Sequence, residues 1–481
     1  MKRVLVAAAV VSLAATLLVF AREGYPVPGG DAAGFLVSSI NYRLGRGLVN
    51  PFYAQNEWSD PTGGQRHIYY PPLFSLAVSA LMPRPTPVGA FLAVALMQGV
   101  ALLLAAFLLW RVGAAGAREP SWPATLLLVI SLAGLCTSTL PTHGRAEALA
   151  QVFLLLGALA LAFLRGGVLA AVLGVLVGLT AAAQPIGAVE MGLVIALVFS
   201  FRRTAREAAP ALLAVALLAL AVFALTLALT PFGLRETMSG IVRAYPHTPW
   251  SAPPGRYWWR PWILVRRATF YGPLLLLALA AGVALARRAG RRPAAPALFA
   301  LAAALLALAL YHGSLTHKSL RNYNAILLAP VAYALVLAWF VRAGRAARAL
   351  CLLVVAATAT GFAGYVVCFP WFRAHARGLA QARAEWATLE LPPERRLLLL
   401  GNLWALSEDY ARMDRDPRTL EDPGRPRPLL VLGQRREDGG RPPAVPGFVL
   451  VHDAFNPALA GAGWRRRFVD EDYSFAVYRP E

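Results

Sequence analysis

Charged residues are scarce in this chain. Asp, Glu, Lys and Arg make up 15% of its 481 residues, against about 25% in soluble globular proteins. Acidic residues are the scarcest, with 25 Asp and Glu against 46 Lys and Arg, for a formal net charge of +21. Cysteine is almost absent. Cys136, Cys351 and Cys368 all lie in apolar runs and offer neither a disulfide framework nor metal-ligand spacing. After Phe369 there is no Gly-rich phosphate loop and no nucleophile elbow. These absences exclude a soluble multidomain protein. What is abundant is apolar sequence, at 58% of residues, and in so apolar a chain the basic excess is first a question of position relative to a bilayer.

Runs long enough to cross roughly 30 Å of hydrocarbon recur at 4–20, 87–110, 123–141, 148–164, 167–183, 185–200, 210–231, 271–286, 296–311, 322–340 and 349–369. The expected fold class is a polytopic α-helical membrane protein of about eleven spans with a small C-terminal α/β domain. The first run follows Lys2 and Arg3 and has no small-x-small cleavage site, so it reads as an uncleaved anchor with a cytoplasmic N-terminus. Arginines at 111/118, 202/203/206, 287/288/291/292 and 342/345/348 then all fall in cytoplasmic connections. This holds only if Leu73–Met82, too short to span, lies at the outer interface. The outer face receives a long first loop (21–86), a turn at 141–147, a loop at 232–270, a turn at 312–321 and the tail. All seven histidines are placed on that face, which makes it the expected side of the chemistry.

The division is a transmembrane domain at 1–369 and an extracytoplasmic α/β domain at 370–481. The tail holds 17 basic and 16 acidic residues, so nearly all of the charge excess belongs to the membrane portion. Leu397–Leu400, Leu429–Leu432 and Phe448–Val451 read as short buried strands. A helical stretch is expected to run to Tyr410, and Phe468–Val469 with Phe475–Tyr478 read as a hairpin around Asp470–Asp472.

Several outward residues could carry chemistry. Asp31, in the loop after the first span, could accept a proton from an attacking hydroxyl or amine. As a lone loop aspartate it also fits a solvated turn. Tyr69-Tyr70-Pro71-Pro72 closes the first loop at headgroup level. His143, Arg145 and Glu147 cluster at a span's outer end, where charges must be paired or functional. They read either as a structural ion pair or as a second carboxylate facing Asp31's cavity. Lys318 and Arg321, beside His317, are three apart and could face one anion, Lys as a point charge and Arg as a fork. Arg256 and Arg260 flank Tyr257, Trp258 and Trp259, a combination suited to a lipid headgroup, a sugar ring or plain interfacial anchoring. Gln184-Pro185 and Glu190 are the polar intrusions within spans.

In this order these pieces resemble the GT-C membrane glycosyltransferases, in particular bacterial relatives of protein O-mannosyltransferases and of the lipid A aminoarabinose transferase. The matching residues are Asp31, Gly45/Gly47 to Tyr53, Tyr70-Pro71-Pro72-Leu73, Arg145-Ala146-Glu147, Gln184-Pro185 and His317–Tyr323, over residues 1–340. Glu147 stands where Asp is common, and Asn322 interrupts an Arg-Tyr pair. The resemblance implies a sugar donor on a polyprenyl-phosphate carrier, an envelope acceptor (lipid, glycan or protein), and work on the outer face of the plasma membrane. It makes Asp31 the base and Glu147 the second acid. Arg145, His143, Tyr69, Tyr70, Arg256, Arg260, His317, Lys318 and Arg321 become substrate-binding residues. Asp31, Glu57 and Asp60 could supply oxygens to a divalent metal, but their spacing is no metal signature, and no cofactor enters the reading.

Two other membrane readings compete: a polysaccharide polymerase or ligase, and a transporter of lipid-linked glycans. The long loop follows the first span rather than a late one, and no repeat relates the two halves; both facts favour transfer. The spans exclude a nucleic-acid binder.

Overall fold

The structure is a computed structural model that describes residues 1–28, 30–50, 66–67, 70–115, 117–140, 144–202, 205–244, 272–289, 324–400, 403–414, 426–434, 440–469 and 471–481. Up to residue 244 the helices are α1 (Lys2–Glu23), α2 (Gly30–Arg43), α3 (Leu73–Leu81), α4 (Pro87–Ala114), α5 (Trp122–Thr139), α6 (Glu147–Phe163), α7 (Gly166–Ala183), α8 (Pro185–Arg202), α9 (Ala205–Ala228) and α10 (Gly233–Ala244). Further helices run over Gly272–Ala289, Asn324–Arg342, Arg345–His375 and Leu379–Ala387.

Uninterrupted apolar sequence becomes helix because hydrocarbon offers no partner to backbone N–H and C=O groups. Among the described residues six helices are long and apolar enough to cross a membrane: α1, α4, α5, α7, α9 and the one beginning at Arg345. Shorter apolar helices occupy four other expected spans, and the expected span at 296–311 lies outside the described residues. Helix starts follow local chemistry. Thr86 Oγ1 accepts from the Gly89 N–H with Pro87 in the first turn, and Ser121 Oγ accepts from Ala124 N–H with Pro123 in the first turn.

Helices pack closely where a side chain is missing. A Cβ on Gly134 would lie 2.1 Å from Tyr333 Oη, and one on Gly361 would lie 2.2 Å from Thr137 Cγ2. At the same contact Tyr333 Oη donates to Thr358 Oγ1 at 2.7 Å, and Thr137 Oγ1 donates to Thr358 O at 2.8 Å. Small residues and hydroxyls are the usual glue between apolar helices.

The connections gather at two ends of the bundle. At one end Lys2 Nζ donates to Pro120 O at 2.8 Å, Arg3 pairs with Glu119 at 3.2 Å, and Arg111 lies over Phe163 at 5.3 Å. Arg288 donates to Arg342 O at the ends of their helices. At the other end lie the turn after α1, Gly144–Glu147, the start of α10 and the tail.

The tail carries a five-stranded mixed sheet of β1 (Leu397–Leu400), β2 (Met413–Asp414), β3 (Leu429–Gly433), β4 (Phe448–Ala454) and β5 (Phe475–Pro480), ordered β2-β1-β3-β5-β4. β1 pairs in parallel with β2 and β3, while β5 is antiparallel to β3 and β4. Period-2 alternation divides its faces. Leu397, Leu399, Leu429, Val431, Phe475 and Val477 join the core shared with the membrane helices, and Leu398, Leu430, Ala476 and Tyr478 form a second cluster. Two sequence expectations give way here. Phe468–Val469 follows the short 3-10 helix Gly463–Arg467, so β5 pairs with distant β3 and β4 rather than in a hairpin. The stretch to Tyr410 is two separate 3-10 turns, Leu403–Ala405 and Tyr410–Arg412, and not one helix.

Candidate functional site

The site begins where α1 ends. Gly24 caps α1 in the left-handed conformation, φ 67°, which glycine adopts without a Cβ penalty. Its carbonyl accepts from Tyr473 Oη of the tail at 3.0 Å. Tyr25 Oη donates to Tyr365 O at 3.1 Å, and its ring packs edge-on to Phe20 and tilted against Phe369 and Phe372. The exit of the first helix is therefore held by the last long helix and the tail together.

The chain then enters α2 rather than a loop, and Asp31 belongs by its backbone to the first turn. An acid there sits at the positive end of the helix dipole. Its side chain is not among those described. Ala32, Ala33, Leu36, Val37 and Ile40 are all at most 1% exposed. Their spacing of one, three and four is the stripe of a buried helix face, and it is the signal in the sequence that identifies α2.

Asn50 fixes the loop to this helix, its Nδ2 donating to Ala33 O at 3.1 Å and Gly34 O at 3.0 Å. Val49 bridges Arg66 in antiparallel fashion, and His67 N–H donates to Leu48 O at 2.8 Å. Arg66 pairs with Glu236 and lies over the Phe232 ring at 5.7 Å, joining the first loop to the start of α10. The loop expected over 232–270 is helical from Gly233 to Ala244, and no local sequence signal marks this pair. The His67 ring is fully buried, edge-on to Phe35 at 6.4 Å, and burial pushes its pKa down to about 3. Tyr70 packs edge-on to Phe35 at 4.8 Å, and α3 follows with Phe74 at 5.6 Å. At nine residues, α3 is roughly 14 Å long.

The second turn meets α2 directly. Gly144 has φ 89°, and a Cβ there would come within 2.8 Å of Ala32 Cβ and 3.0 Å of Leu36 Cδ1. Beyond it, Arg145 donates from Nη2 to Glu147 Oε1 at 3.0 Å and from Nε to Oε2 at 3.3 Å. The Glu147 side chain is 1% exposed and Arg145 14%. This is a two-point, partly buried ion pair, with Glu147 in the first turn of α6.

The structure thus brings together the backbone of Asp31, Tyr70, Arg145 and Glu147 at one end of the bundle. Tyr69, His143, Arg256, Arg260, His317, Lys318 and Arg321 lie outside the described residues, as do Glu57 and Asp60. Gln184 and Glu190 are buried in and beside α8. Among the described residues no group of three or more His, Cys, Asp and Glu is arranged to hold a metal ion.

No protein-family description matches this chain, and no curated protein matches it in sequence. Among solved structures it is similar to the oligosaccharyltransferase of Archaeoglobus fulgidus in complex with Zn and sulfate, at 13% identity and a TM-score of 0.48, over 90% of this chain and 68% of that one. The same protein tethered to an acceptor peptide containing the NVT sequon matches at 13% identity and a TM-score of 0.48, over 85% and 63%. Archaeal AglB from Archaeoglobus fulgidus, in complex with an inhibitory peptide and a dolichol-phosphate, matches at 13% identity and 0.46, over 91% and 70%.

Proposed function

We propose that this chain is a membrane glycosyltransferase of the GT-C kind, moving a sugar from a polyprenyl-phosphate-linked donor to an envelope acceptor. The observation that carries the reading is the seating of Gly144 on Ala32. It lays the turn bearing Arg145 and Glu147 against the first turn of α2, which bears Asp31, at the end of the bundle away from the basic connections.

In the proposed reaction the acceptor oxygen forms a bond to the anomeric carbon as the bond to the carrier phosphate breaks. Asp31 takes the acceptor's proton. Arg145 faces charge developing on the donor, and Glu147, engaged through both oxygens, orients it. Lys318 and Arg321, with Arg256 and Arg260, stabilise the departing polyprenyl phosphate. His143, His317, Tyr69 and Tyr70 complete the substrate-binding set. The basic end of the bundle, with Lys2, Arg3, Arg111 and Arg342, supports a cytoplasmic N-terminus in a plasma membrane and an outward site and tail. The division at 369/370 and the count of eleven spans belong to the same reading.

The test is Asp31→Asn in the full chain, reconstituted in lipid with a polyprenyl-phosphate sugar. It is expected to insert and melt as the parent does and to lose transfer; full activity would overturn the assignment of the base. Mass spectrometry of envelope glycolipids and glycoproteins with and without the gene would identify the acceptor.

A further inference from the structure

Where helix Arg345–His375 leaves the bundle, its end meets the residues before and within Leu379–Ala387 around a cavity of about 290 Å³. Arg373, His375, Arg377, Gln381, Phe455 and Asn456 line it. No carboxylate does. Three acids approach from behind the wall, and each is already engaged. Glu385 receives Arg377 Nη1 on one oxygen and meets His452 Nε2 on the other at 2.9 Å. Asp472 Oδ2 accepts from the Arg377 N–H at 2.9 Å and from Asn456 Nδ2 at 3.1 Å, while its Oδ1 accepts from the Ser474 N–H at 2.9 Å. Asp453 Oδ1 accepts from the Phe455 N–H at 2.9 Å.

The donors are less fully used. Arg377 Nε is buried and has no hydrogen-bond partner, which is costly for a charged group unless something else fills the place. Arg373 is exposed and, among the described residues, has no carboxylate partner. One guanidinium without a carboxylate partner, Arg373, therefore borders a polar hollow whose other arginine, Arg377, is paired from behind by Glu385.

Depth identifies the counter-ion. Phe369-Pro370-Trp371-Phe372 immediately precede Arg373, and the Trp371 ring stacks on His375 at 5.2 Å. Tryptophan at the end of an apolar helix marks the headgroup level, so the hollow opens where lipid phosphates lie. Its volume is at the small end for ligand sites, suited to a phosphate with a small alcohol. We propose that this cavity binds the phosphate of an anionic membrane lipid through Arg373, with the paired Arg377 in its wall. The proposal does not rest on glycosyl transfer.

Native mass spectrometry of the full chain released from bilayers tests it. Bilayers of phosphatidylcholine with phosphatidylglycerol are expected to leave phosphatidylglycerol bound, with occupancy falling about tenfold in Arg373→Gln, the effect of losing one charge-assisted hydrogen bond. Arg373 is on the surface, so the variant is expected to melt as the parent does; should it fail to insert, Arg373→Met, which keeps the apolar stem without the charge, provides the second variant. Equal retention of phosphatidylcholine, or unchanged occupancy in the variant that folds, would overturn the proposal. Displacement of the lipid by millimolar inorganic phosphate would reassign the cavity to free phosphate and overturn the lipid part.

Discussion

Gly144 faces Ala32 across a gap that admits no side chain: a methyl group on Gly144 would stop 2.8 Å from the Ala32 methyl. Two segments more than a hundred residues apart are in register at the candidate site because one residue lacks a Cβ. Its φ of 89° adds a second reason for glycine.

Gly144→Ala is therefore expected to cost about 1–3 kcal/mol through backbone strain, with the clash added. It should also reduce transfer more than stability, since the turn that moves carries Arg145 and Glu147. A thermal melt in detergent beside a transfer assay separates the two effects. Unaltered activity would show that the seating on α2 does not position the site.

The Arg145–Glu147 pair invites a double-mutant cycle. Glu147→Gln removes the carboxylate charge that a part-buried guanidinium meets at two points, and breaking a buried pair typically costs about 3–5 kcal/mol. Replacing both residues with Met should recover most of that stability. Transfer should stay lost in the double variant if Arg145 faces the donor. Recovery of activity together with stability would make the pair structural only.

His67 predicts a specific acid sensitivity. Its pKa in the fold, about 3, lies below the unfolded value of about 6.5, so the unfolded chain binds the extra proton between those limits. Stability from this group is complete above pH 6.5 and falls as pH drops toward 3. Melting temperature measured from pH 8 to pH 4 should decline less steeply in His67→Phe than in the parent. Parallel curves would mean that the buried ring is not the sensor.

Tyr473→Phe removes one hydrogen bond, from Oη to Gly24 O, and leaves a buried carbonyl without it. The expected loss is about 1–3 kcal/mol. Limited proteolysis should then cut more readily between α1 and α2. Removing 475–481 is expected to do far more, because β5 is flanked by β3 and β4 and its loss divides the sheet.

The membrane helices were legible because run length and hydropathy are local properties. Each expected span that falls in the described residues is a helix, and Leu73–Leu81, after the double proline, is a helix too short to span. Arg145 and Glu147 were legible for the same reason, two residues apart at a helix start. The Arg66–Glu236 pair was not: 170 residues separate its members, and nothing near either one points to the other. The partners of β5 were not legible, because 468–469 and 475–478 resemble a hairpin locally while the sheet joins β5 to β3 and β4. Asp31 was placed in a loop although Ala32, Ala33, Leu36, Val37 and Ile40 carry a helical stripe. The glycines and Pro28 just before it obscured that signal.

The contact between Tyr473 and Gly24 spans 449 residues, which sets an order of events during synthesis. Chains emerge N-terminus first, at roughly 5–20 residues per second. The first helix therefore enters the membrane tens of seconds before its clasp exists, and the bend into α2 must wait in the bilayer for the tail to be made. Until then the end of α1 lacks the hydrogen bond that ties it to the tail. Completion of the sheet is in that sense a checkpoint, at which the nascent chain becomes an assembled one.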